Sequence, residues 1–108
     1  MDELSEIFPR ELKERIETGD RPLILDVREP EEIALAAFPD AVHIPMGEVP
    51  ARLSELDSRR ETVVVCHHGI RSAQVAGFLA TKGFVRVLNL TGGIDAWSLS
   101  VDSSVPRY

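Results

Sequence analysis

VVVCHHGIRSAQVAGFL, residues 63–79, decides the fold. Its first half, with the preceding Thr62, is a β-branched run, Thr62-Val63-Val64-Val65, that ends at Cys66. A short continuous apolar run of this kind is how a strand buried on both faces reads. Its second half has helical spacing, with Val75, Phe78, Leu79 and Lys82 on one face and Gly83 as the stop. The spacing predicts a helix over 72–82. Strand, short loop and helix in that order form half of a βαβ unit, so the loop lies at the carboxyl end of a strand. In open α/β sheets that is where ligands bind.

The same alternation extends in both directions. Pro9 suits the first position of a helix carrying Leu12 and Ile16, and Gly19 suits the residue past its end. Residues 23–27, LILDV, read as a second buried strand. Pro30 followed by Glu31 and Glu32 reads as a helix start, because carboxylates suit the positive end of the helix dipole. Residues 41–44 read as a short strand closed by Pro45, 48–56 as a helix containing Pro50, 85–90 as a strand and 94–99 as a short helix after the turn Gly92-Gly93. Residues 98–108 read as an irregular tail, packed back or frayed. The pattern predicts an α/β fold with a mostly parallel sheet and helices on both faces.

With 108 residues, the expectation is a single domain over 1–108. Hydrophobic residues make up 44% and charged residues 28%, a globular balance rather than a disordered one. Twelve Lys and Arg against eighteen Asp and Glu leave −6, which argues against nucleic acid and against an anionic membrane as partner. The longest apolar run, residues 33–38, is far short of the roughly twenty residues a span needs. The start, MDELSE, is acidic rather than basic and apolar, so no secretory signal is expected. One cysteine excludes an internal disulfide and a multi-cysteine metal site, and the expected compartment is the cytoplasm. His43, His67 and His68 lack metal-ligand spacing, so no metal is expected.

The position of Cys66 favours its thiolate. The first amides of the next helix point toward the loop and carry about half a unit of positive charge. Arg71 adds a permanent cation, and Gly69 lets the backbone curl with its N–H groups inward. The plainer reading is a small buried hydrophobe at a strand end. Arg71 has two candidate roles, holding an anionic donor or lowering the thiol pKa, beside a structural one of bonding loop carbonyls. His67 and His68 are expected to diverge, with at least one facing solvent. Asp26 and Arg28 read as structural, with Arg28 pairing Glu32, and Trp97 with Ile94 as core or cleft wall.

CHHGIRS resembles the active-site loop of the rhodanese sulfurtransferases, Cys-x-x-Gly-x-Arg-Ser/Thr. Asp26-Val27-Arg28-Glu29 with Pro30-Glu31-Glu32, residues 42–45, and GGIDAW at 92–97 are similar to three further signatures of that family. The resemblance implies a sheet of about five parallel strands between helices. It implies a persulfide formed on Cys66 from thiosulfate or a protein persulfide. The sulfur then passes to a nucleophile, cyanide in vitro and a thiol or sulfur-carrier protein in the cell. In it Cys66 is the catalytic residue, and His67, His68, Gly69, Ile70, Arg71 and Ser72 bind the substrate. The alternative is a non-catalytic rhodanese-like binding module, although such modules commonly lack the cysteine. A related group of phosphatases has a loop resembling Cys-x5-Arg; here four residues, 67–70, separate Cys66 from Arg71, so the cradle is one shorter.

Two departures stand out. Ala37 and Asp40 occupy places where the family often has His and Gly, which questions the local turn, and Phe8 replaces the usual helix-capping serine. The end of the chain, 92–108, looks like that of rhodanese domains fused to adenylyltransferases of molybdopterin and thiamine synthesis. The expected partners are a small-molecule or protein persulfide donor and a sulfur-acceptor protein. The sequence leaves the oligomeric state open.

Overall fold

Side chains that alternate along a strand divide the core into two layers, and the computed structural model, which describes residues 5–108, shows both. Five strands form one parallel sheet. They are β1 (Ser5–Ile7), β2 (Leu23–Asp26), β3 (Val42–His43), β4 (Thr62–Val65) and β5 (Val87–Leu90), in the order β1-β5-β4-β2-β3. Val63, Val65, Leu88 and Leu90 face a layer with Ile7, Leu12, Ile94 and Trp97. Val64, Cys66 and Val87 face the other layer with Val75, Ala76 and Leu79. Helices α1 (Pro9–Glu17) and α4 (Gly93–Ser100) therefore cover one side, and α3 (Ile70–Thr81) covers the other. The short helix α2 (Pro30–Leu35) follows β2.

Several boundaries differ from expectation for physical reasons. β1 was not anticipated, because three residues with only Ile7 buried give too little pattern. The helix expected over 48–56 is instead two 3-10 segments, Met46–Glu48 and Pro50–Glu55. Pro50 has no N–H to give, and Arg52 (φ −116°, ψ 18°) leaves the helical region. Phe8 precedes α1 without a side-chain cap. Asp40 takes φ +53° in the turn where a glycine was missed, and Arg21 Nη2 closes that turn on the carbonyls of Pro39 (2.9 Å) and Asp40 (3.0 Å). The tail packs back, with Val105 buried and the Ser98 hydroxyl donating to its carbonyl at 2.5 Å.

The last residue of β2 begins a buried ion pair. Asp26 is 1% and Arg28 0% exposed. Asp26 Oδ1 accepts from Arg28 N (3.1 Å) and Nε (3.0 Å), and Oδ2 accepts from Nη2 (2.7 Å). The expected Arg28–Glu32 pair is therefore not formed; the one contact of Arg28 with Glu32 is a long 3.5 Å approach of Nη1 to the backbone carbonyl. Buried charges demand full satisfaction, and removing one partner costs about 3–5 kcal/mol. Asp26→Asn should accordingly lower the unfolding free energy by about 3–5 kcal/mol. A fall in the urea midpoint at unchanged m-value would show it.

Candidate active site

β4 ends one residue before Cys66, and α3 starts at Ile70, two residues earlier than expected. Gly69 makes the earlier start possible. Its φ of +100° reverses the chain, and a Cβ there would stand 3.3 Å from Gly92 N and 3.4 Å from Leu90 O. The reversal aims the Gly69 N–H at Cys66 Sγ, 3.1 Å away. Ser72, on the first turn of α3 and fully buried, places its Oγ 3.3 Å from the same sulfur.

Ser72 Oγ is also 2.5 Å from Asn89 Oδ1. Asn89 shares the sheet face of Val87, so the period of β5 points it under the loop. Its Nδ2 donates to Gly69 O at 3.0 Å and to the Glu6 carboxylate at 3.3 Å. A hydroxyl has one proton. With a neutral thiol, Ser72 gives that proton to Asn89; with a thiolate, it turns to the sulfur. Asn89 thus holds the Ser72 hydroxyl while the thiol is neutral, and gives up that proton when the thiolate forms. The sequence reading missed Asn89, though a lone polar residue in the apolar run VLNL was a usable signal.

The carbonyl side of the loop is tied down by α4. Ile94 N donates to Cys66 O at 2.9 Å, and Asp95 N donates to His67 O at 3.1 Å. Gly93 lies so close that a Cβ would fall 2.5 Å from both carbonyl oxygens. Its glycine is required by close approach, beyond the tight turn that the sequence suggested.

Arg71 turns away from the loop carbonyls. Its Nη1 and Nη2 donate to Glu32 Oε1 (2.6 Å) and Oε2 (2.8 Å). The Tyr108 hydroxyl donates to Glu32 Oε2 at 2.7 Å and accepts from Arg28 Nη1 at 3.1 Å. Arg71 above all, against burial, holds the Glu32 carboxyl down to about 2, with Tyr108 and the Glu29 N–H adding. His67 and His68 do not diverge as expected: their rings stack at 3.8 Å, and Tyr108 stacks on the other face of His67 at 3.8 Å and 8°. Burial and the neighbouring His68 push the His67 pKa down, favouring its neutral ring. His68 is largely exposed, as is Ile70 at 73%. Neither Glu32 nor Tyr108 was singled out as a site residue from the sequence.

His67, His68 and Asp95 bring possible metal-ligating atoms within 4.8 Å of one another. Arg107 already occupies Asp95, at 2.8 and 3.4 Å, and the two imidazoles stack instead of converging. This cluster is poorly built for a cation.

Cys66 is 1% exposed. Burial alone pushes its thiol pKa up. The Ser72 hydroxyl and the amides of Ser72, Gly69 and His68 outweigh burial, and the net direction is down. The arrangement favours a sulfur anion at a strand end. Ser72→Ala should slow Cys66 alkylation at pH 7 by about tenfold, the worth of one hydrogen bond to an anion at ~1.5 kcal/mol. Iodoacetamide kinetics against pH would show the lost reactivity returning at higher pH.

The model of the "Rhodanese-like domain" family matches residues 8–100. A protein of Allochromatium vinosum named "Sulfurtransferase" is 41% identical over 95 residues, covering 88% of this chain and 89% of that one. The crystal structure of a rhodanese-like domain protein from Staphylococcus aureus superposes with a TM-score of 0.85 at 31% identity, covering 97% of this chain and 99% of that one. The Arabidopsis thaliana "Adenylyltransferase and sulfurtransferase MOCS3" is 28% identical, across 96% of this chain and 26% of its own length. That relative joins the two activities that the C-terminal resemblance suggested. A family match from β1's end to the end of α4, with that shared parallel sheet, places the chain in the rhodanese-like family.

Proposed function

We propose that the chain is a sulfurtransferase that carries sulfur as a persulfide on Cys66. The observation that carries this reading is the pair of donors, Gly69 N–H and Ser72 Oγ–H, aimed at Sγ from the turn into α3. Donors so placed favour charge on sulfur both before and after a transfer.

The transfer is a two-step covalent displacement. The Cys66 thiolate attacks the outer sulfur of a donor R–S–SH. A new S–S bond forms at Cys66, the donor's own S–S bond breaks, and R–S⁻ leaves with the electron pair. With thiosulfate as donor, sulfite leaves in the same way and Cys66 holds S–S⁻. An acceptor nucleophile then attacks the terminal sulfur, and the Cys66 thiolate returns. Sulfane sulfur changes hands without an external oxidant or reductant. The loop residues His67, His68, Gly69, Ile70, Arg71 and Ser72 form the substrate-binding wall in this reading. Gly69 and Ser72 touch the reacting sulfur, while exposed Ile70 and His68 lie where a partner can reach them. The acceptor is cyanide in vitro and a thiol or sulfur-carrier protein in the cell. No helix among the described residues is long and apolar enough to cross a membrane, and we place the activity in the cytoplasm.

One observation favours the binding-module alternative: a nucleophile that is 1% exposed must be uncovered before it meets a donor. Intact mass separates the two. After thiosulfate, or after a persulfide donor, the native chain should gain one sulfur atom that cyanide removes, and Cys66→Ser should gain none. No gain with either donor would sink the sulfurtransferase reading and leave the module.

A further inference from the structure

The loop CHHGIRS holds one permanent cation, Arg71, and that cation is already occupied. Both of its terminal nitrogens meet both oxygens of Glu32, at 2.6 and 2.8 Å. This fork-on-fork geometry is the one with which a guanidinium otherwise grips an oxyanion ligand. Glu32 cannot swing away freely. The Tyr108 hydroxyl holds Oε2 at 2.7 Å, and the Glu29 N–H holds Oε1 at 3.1 Å.

Tyr108 is itself anchored. Its ring lies flat on His67, and its oxygen accepts from Arg28, whose guanidinium is locked on buried Asp26. Arg107 beside it pairs Asp95. A clasp of residues far apart in sequence thus neutralises Arg71 beside the thiol loop.

We propose that Glu32 and Tyr108 form a specificity clasp that withholds the Arg71 fork from small dianionic donors and so favours persulfides borne on a thiol. The inference rests on the sulfurtransferase reading of Cys66. Thiosulfate brings two charges to the loop and releases sulfite with two, and both stages call for a free cation. Here it meets a closed Arg71–Glu32 pair with the carboxylate held in place. A thiol persulfide brings at most one charge on its outer sulfur and releases a single thiolate. The Gly69 and Ser72 donors meet that demand without the fork. Glu32 and Tyr108 act as positioning residues, since they touch Arg71 and His67 rather than the reacting sulfur.

The test is single-turnover loading of the full chain, read by intact mass, with thiosulfate, with glutathione persulfide and with a persulfide-loaded protein. Glu32→Gln should raise kcat/KM for thiosulfate by about tenfold or more, mainly through a lower KM, because a like charge is removed from the dianion's path. Loading from both persulfides should stay within about twofold, the margin of an unperturbed site. Tyr108→Phe keeps the stack and drops only the hydroxyl, and it should move thiosulfate use the same way by less. It also keeps the proposal testable if Glu32→Gln folds poorly. The proposal is overturned if thiosulfate use is unchanged or falls in both variants, or if all donors gain alike, which would mean a loosened loop. A native chain that loads from persulfides while Glu32→Gln gains nothing with thiosulfate overturns the clasp alone. A native chain that loads from no donor overturns the sulfurtransferase reading, and the clasp with it.

Discussion

A sulfur anion in a buried pocket must be solvated by the protein, because water is excluded. At Cys66 that solvation comes from the Gly69 N–H and the Ser72 hydroxyl. Much of the surrounding geometry follows from this demand. The chain must reverse within three residues, so Gly69 takes a left-handed φ. The reversal leaves the carbonyls of Cys66 and His67 in need of partners, and the amides at the start of α4 supply them. That docking in turn leaves no room for a side chain at Gly93. The two glycine positions and the Ser72–Asn89 contact are three parts of one solution.

A second polar network runs beside the first and joins distant parts of the chain. It begins at the buried Asp26–Arg28 pair at the end of β2, passes through the Tyr108 hydroxyl to Glu32, and ends on Arg71 in the thiol loop. A buried pair is weak evidence for stability, since well-packed apolar residues often do as well. Its consequence here is positional. Arg28 has donors to spare after satisfying Asp26, and the spare one fixes Tyr108. The tail and helix α2 thereby share control of the one cation in the loop. Arg71 is consequently neither a carbonyl clip nor a free anion receptor in this arrangement.

The sequence made the strand–loop–helix unit around Cys66 legible, because β-branched runs and helical spacing report burial directly. The parallel sheet and its two helical faces followed from the alternation of such units, and the four motifs in order pointed to the family. β1 was invisible because three residues cannot show a period. The 3-10 segments around Pro50 lay beyond a pattern that registers apolar spacing but not a missing N–H. Within the site, Cys66 at a strand end and Gly69 as the residue that lets the backbone curl were readable from local chemistry, while Ser72 was read as a helix start and not as a donor to the sulfur. The partner of Arg71 was not, because Glu32 and Tyr108 are distant in sequence and any of several carboxylates satisfies an arginine on paper. Asn89 carried a readable signal, a polar residue inside an apolar strand, whose meaning depended on the register that sets it under Ser72.

The central claim is that the loop favours sulfur as an anion despite its burial. The direct measurement is an ultraviolet titration of the thiolate in the native chain against Cys66→Ser. Cys66 is the chain's one cysteine, and Tyr108, its one tyrosine, is pushed up to about 12 by burial, so the signals separate. Donors that stabilise the charged form shift ionisation to lower pH. The account predicts a thiolate transition below that of a free thiol, which lies near about 8.5. A transition at or above that value would mean that burial outweighs the cradle, and would contradict it.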